Sequence, residues 1–169
     1  MTKKLIILLL AIAPIAAIAQ NAKLAHINTS EIFSLMPEIP GIETQLNNKQ
    51  EEISKNGQAL VDEFNKKAEE FQKGATTASE AVKADQEKQL AQIQERYQMF
   101  LQNSQKEIEE LRQKLLAPVQ QKIANAIKAV GEEKAYTYVF DLAAGNLVYV
   151  STTNAEDATP FVKTKLGIK

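Results

Sequence analysis

The lone histidine, His26, is the residue type best suited to act as a general base or metal ligand near neutral pH. Either role needs partners, because triads and metal sites are built from several convergent groups. The chain has no cysteine and no second histidine, so His26 reads as a sheet residue at an edge or a subunit contact. Paired acids recur at Glu51-Glu52, Glu69-Glu70, Glu109-Glu110 and Glu132-Glu133. Adjacent residues on a helix point in different directions, and lysines and arginines are interspersed among them. They read as solvated helix faces rather than metal sites. No G-x-x-x-x-G-K-S/T loop and no G-x-S-x-G turn occurs, so nucleotide-driven work and serine-hydrolase chemistry have no support. The expectation is a protein that is not an enzyme, with no cofactor and no metal.

What remains is a set of large apolar side chains in a charged region: Phe64, Phe71, Tyr97, Met99 and Phe100. Most suit the seam between two helices, where such residues recur at intervals of three and four. Met99, Phe100 and Leu101 are consecutive, and successive helix positions point about 100° apart, so they cannot all enter one seam. At least one is left exposed or meets a partner, as exposed apolar groups on a solvated surface do.

The elements that carry these residues follow from the pattern. Apolar residues at Ile42, Leu46, Ile53, Leu60, Phe64 and Phe71 predict a long helix with a thin heptad stripe. Lys49 and Asn56 interrupt that stripe. The small, polar stretch Lys73–Ala81 makes a turn, with Gly74 as a stop and Ser79 or Thr77 as a cap. Leu90, Ile93, Tyr97, Phe100, Leu101, Ile108, Leu111 and Leu115 predict a second helix of the same phase. The two match in length, at roughly 55–60 Å each, and predict an antiparallel hairpin over 37–117 with its tip near 73–79. Pro118 follows directly on Leu116 and Ala117, with no loop around it. One continuous, kinked helix is therefore expected, with Pro118 as a hinge.

The chain ends predict a small α+β body from residues 20–36 and 118–169. Lys23–Asn28 reads as a strand. Asn28 and Glu31 have capping-box spacing, and Pro37 and Pro40-Gly41 end the short helix that follows. Val119–Val130 is dense in apolar residues and suits a core. Tyr136–Val150 reads as a β-hairpin turning at Gly145-Asn146. Thr159 as cap, Pro160 in the first turn and Gly167 as stop frame a last helix, with Phe161, Val162 and Leu166 inward. So few strands make a small core, which predicts assembly of several copies.

The first residues form a separate segment. Lys3 and Lys4, an apolar run from Leu5 to about Ala13, and Ala17-Ile18-Ala19 before Gln20 have the order of a cleaved secretory signal over 1–19. The run holds roughly a dozen apolar residues, short of the ~20 needed to span a bilayer. Loss of Lys3 and Lys4 leaves 18 basic against 21 acidic residues. A near-neutral chain implies no strong field for nucleic acid or anionic lipid. Without cysteine, stability must come from packing or assembly.

With these elements in place the chain resembles the Skp/OmpH family, the trimeric periplasmic chaperones of outer-membrane proteins. The resemblance rests on "KLAHINTSEIFSLMPE", the long hairpin, "LLAPVQQKIANAIKAVGEEKAYTYVFD" and "DATPFVKTKLG". It implies a homotrimer with a strand-built body and projecting helical arms, like a jellyfish. It implies ATP-independent binding of unfolded outer-membrane β-barrel proteins between the arms, with Phe64, Phe71, Tyr97, Met99 and Phe100 as candidate client contacts. Some members carry basic arm tips. Here Lys66, Lys67, Lys73, Lys83 and Lys88 are balanced by Glu69, Glu70, Glu80, Asp85 and Glu87, so no strong lipopolysaccharide site is expected. The rival reading is a coiled-coil adaptor or spacer of the cell envelope.

Overall fold

The structure is a computed structural model that describes residues 22–74, 76–145 and 147–168. The expected signal segment and its cleavage point after Ala19 lie outside these residues. The chain is α+β and falls into two compact units. Met36–Gln121 forms one; the described residues up to Leu35 and from Lys122 onward form the other.

The second of these units holds a three-stranded sheet in the order β2-β1-β3. β1 (Leu24–Ile27) is central and pairs in parallel with β2 (Tyr138–Asp141) and β3 (Ala155–Asp157). Ala25 and Ile27 are buried, while Leu24 and His26, on the other face, are partly exposed. Helix α1 (Thr29–Ser34) starts as the Asn28–Glu31 spacing predicts: the Asn28 side chain accepts from the Glu31 amide at 3.1 Å. The box is completed differently. The Asn28 amide donates to the Thr159 hydroxyl at 3.1 Å, and the Glu31 carboxylate pairs with Lys163 at 3.2 Å.

Two expectations fail here. Residues 147–150 form no strand, so Tyr136–Val150 is not a β-hairpin. Asp141 stops β2 by accepting from the Ala143 amide at 3.0 Å, which opens a 3-10 turn over Leu142–Ala144. The chain then returns to the far side of β1 as β3, a parallel pairing that no tight turn can make. Thr159 is not the cap of the last helix, α4 (Thr159–Leu166); it is the first helical residue, and its amide donates to Asp157 Oδ1 at 2.9 Å. Pro160 lies in the first turn, Gly167 ends the helix at φ +73°, and Val162 is fully buried.

The other unit contains α2 (Ile39–Gly74) and most of α3 (Glu80–Glu133). Pro40-Gly41 does not break the chain, as expected from sequence, but sits in the first turn of α2. Proline is tolerated there, because that turn has no use for its missing donor. Pro118 lies inside an unbroken α3. Both it and Lys114, whose carbonyl loses its donor, are exposed residues, and an exposed carbonyl without a partner costs less than a buried one. Val119, Ile123, Ala126 and Val130 are buried along one stripe of the same helix.

The C-terminus of α3 uses an uncommon residue. The Tyr136 amide donates to Gly131 O at 2.9 Å and the Ala135 amide to Glu132 O at 3.2 Å. These are the two bonds of a Schellman motif. Its left-handed position is Ala135, at φ +55°, where glycine is usual.

Candidate functional site

The two long helices run antiparallel and touch at residues whose numbers rise on one and fall on the other. Lys49 Nζ reaches Glu107 at 3.0 Å and Glu52 at 3.2 Å. The Glu107 carboxylate first, and Glu52 second, raise the Lys49 pKa against the opposing effect of desolvation. Next, Gly57 receives the Phe100 ring; a Cβ placed on Gly57 would lie 3.2 Å from Phe100 Cε1. Further along, Arg96 grips Glu63 with both guanidinium nitrogens, at 3.3 and 2.5 Å. Ile93 and Ser104 are the buried residues of α3 along this stretch.

Between these contacts the helices leave clefts. One, of about 540 Å³, is lined by Leu60, Val61 and Phe64 from α2 and by Ala91, Ile93, Gln94, Glu95, Tyr97 and Gln98 from α3. A smaller one, of about 300 Å³, is more polar: Gln50, Gln105, Glu109 and Arg112 line it along with Ile53, Leu101, Ser104 and Ile108. The five apolar candidates thus separate. Phe64 and Tyr97 share the larger cleft, Phe100 is seated on Gly57, and Phe71 is half-buried near the end of α2. Met99 is 50 % exposed and Leu101 41 %, so of the three consecutive residues Phe100 alone fills the seam against Gly57. Gly57 and Ser104 were not legible as seam residues, because a small or polar side chain leaves no mark in an apolar stripe.

The charged residues pair as solvated faces do. Glu69 and Glu70 bind Lys73 and Lys67, Glu109 binds Arg112, Glu110 binds Lys106, and Glu132 and Glu133 bind Lys128 and Lys165. Among the described residues no group of three or more His, Asp or Glu is placed to hold a metal ion, and no helix is long and apolar enough to cross a membrane. His26 Nδ1 has no hydrogen-bond partner.

In the sheet unit the face that carries Leu24 and His26 also bears exposed aromatic side chains. Tyr138 and Phe140 on edge strand β2 are 61 % and 40 % exposed, with ring centroids 6.1 Å apart. Leu147, Val148 and Tyr149 are exposed beside no strand of their own. The Tyr136 hydroxyl is shut off from solvent without a partner of regular hydrogen-bond geometry. Burial first, and the Glu156 carboxylate second, push its pKa up to about 12.

A long helical hairpin with clefts along its seam, in one chain with a small parallel sheet, defines an α+β protein. Comparison with known proteins gives the family. The model described as outer membrane protein (OmpH-like) matches residues 23–166, and the chain belongs to that family. It is 27% identical over 154 residues to the chaperone protein Skp of Pectobacterium atrosepticum, covering 89% of this chain and 88% of that one. It is 30% identical over 139 residues to the chaperone protein Skp of Yersinia enterocolitica, covering 80% and 82%. The fold is shared with a candidate outer membrane chaperone (OmpH-like) of Caulobacter crescentus, at TM-score 0.71, 16% identity and coverage of 86% and 83%.

Proposed function

We propose that this chain is an ATP-independent holdase of the periplasm, delivered by a cleaved signal, that binds unfolded outer-membrane β-barrel proteins and prevents their aggregation. The observation that carries this reading is the hairpin seam. Its rods are pinned at separated points and leave clefts between them, the larger one mostly apolar, which suits many weak contacts to an irregular client better than one rigid fit. Membership in a family with relatives named chaperone supports it. Phe64, Phe71, Tyr97, Met99 and Phe100 are the proposed client contacts, with Pro118 as the hinge of α3.

The same reading takes the working form to be a homotrimer. Parallel sheets are normally covered on both faces, yet here one face presents Tyr138 and Phe140 to solvent. Charge at the hairpin turn is neutralised by pairs such as Lys67–Glu70 and Lys83–Glu80, so capture of lipopolysaccharide is not part of the proposal.

The test dilutes a urea-unfolded outer-membrane barrel protein into buffer with and without this protein. Suppression of light scattering at stoichiometric amounts is expected. Aggregation unchanged at excess protein would remove the holdase reading. Recovery of one folded partner at fixed stoichiometry in a pulldown would identify an adaptor instead.

A further inference from the structure

The larger cleft of the hairpin has features beyond a general apolar surface. Its volume is about 540 Å³, enough for one large side chain with space around it. It is lined by Ile93, 4 % exposed, and by the half-buried Phe64 from α2 and Tyr97 from α3. Its rim carries Gln94 and Gln98. Both are exposed, and neither side chain is hydrogen-bonded to another described residue. They stand one turn apart on α3, about 6 Å along the axis. Alternate residues of an extended chain repeat at about 6.7 Å. Two neutral amides at that spacing match the backbone N–H and C=O groups of residues i and i+2 of a strand-like segment. The one carboxylate lining the cleft is Glu95, which disfavours an acidic neighbour.

We infer that the cleft between α2 and α3 is a side-chain receptor for an extended, unfolded segment. It takes one large aromatic side chain against Phe64 and Tyr97, while Gln94 and Gln98 hold the flanking backbone. The occupant is therefore a strand-forming stretch with neutral or basic flanks, and not a folded surface or an amphipathic helix, whose backbone groups are already paired. The inference rests on the holdase reading and names the chemistry it selects.

The test uses the full chain and two labelled peptides with blocked ends. Each alternates serine and threonine; one has a central phenylalanine and the other a central alanine. Fluorescence anisotropy is expected to show the phenylalanine peptide binding at least tenfold more tightly. Ala91→Phe, an exposed helix position that fills the cleft, is expected to reduce it to the level of the alanine peptide. Gln94→Ala with Gln98→Ala is expected to weaken both peptides at least threefold. Equal affinity of the two peptides for the unaltered chain overturns the inference whatever the variants do, so misfolding of Ala91→Phe cannot shelter it. In the aggregation assay, a folded Ala91→Phe chain that protects the barrel protein as well as the parent overturns the cleft as a client site and leaves the holdase reading standing. Peptide binding by a parent that fails to protect removes the holdase reading and leaves the receptor.

Discussion

Ala135 and Gly167 occupy the same position of the same terminal motif, and one of them is strained. An L-residue in the left-handed region costs about 1–2 kcal/mol, part of which glycine returns through its freer unfolded chain. Ala135→Gly is expected to stabilise by about 0.5–1 kcal/mol, read from the urea midpoint. Asp141 shows the opposite economy of one side chain serving three donors: the Thr29 hydroxyl at 2.5 Å, the Thr29 amide at 3.2 Å and the Ala143 amide at 3.0 Å. Partial burial pushes its pKa up, but these bonds together outweigh it and hold the carboxyl below its ordinary 3.8. A depressed folded pKa contributes stability above the unfolded value and loses it as pH falls through the folded one. Asp141→Asn is thus expected to cost about 2 kcal/mol near neutrality. The gap from the parent should narrow below the unfolded value of 3.8, in urea titrations at pH 7 and pH 3.

The long helices test how far a seam depends on its small residues. Gly57→Ala gains about 0.5–1 kcal/mol of helix propensity but brings its Cβ to 3.2 Å from Phe100 Cε1. The two effects are expected to cancel nearly in the parent. In a Phe100→Ala background Gly57→Ala is expected to stabilise by about 1 kcal/mol, a coupling that a double-mutant cycle measures. Pro118→Ala gives the Lys114 carbonyl its donor back. Stabilisation is expected, with about 3 kcal/mol as its ceiling, together with slower amide exchange around that turn. As the proposed hinge, the residue is also expected to alter client protection when replaced. The helices were legible because thirty or more residues repeat one period, and a Pro or Lys cannot erase it. Pro40 was misread because proline suits a helix's first turn as well as a chain reversal. The third strand was missed because Leu147–Val150 has the better β pattern, whereas Ala155–Asp157 is only three residues with one apolar member. Its identity is decided by β1, which no local pattern reveals. Phe64 and Tyr97 were legible as candidates by type. Their meeting in one cleft, with Gln94 and Gln98 at its rim, depends on helix register.

For the molecule as a whole, the open face of the sheet makes a prediction about state of assembly. If Tyr138 and Phe140 are covered by other copies, Phe140→Lys puts a charge where apolar groups meet. The mass by light scattering at micromolar concentration is expected to fall from the proposed trimer to a monomer. An unchanged mass would place the contact elsewhere. The parallel pairing of β1 has a further consequence, one of timing. Glu63 and Arg96 are 33 residues apart, whereas Lys23 and Thr137 are separated by 114. Closing the longer loop costs about 1 kcal/mol more in chain entropy, and contacts so distant form slowly. As the chain folds, the rods are expected to zip while the first strand, both its edges unpaired, still waits for β2 and β3. A chain cut short before Ala155 is expected to keep its hairpin and to leave one edge of β1 unpaired and open to other chains.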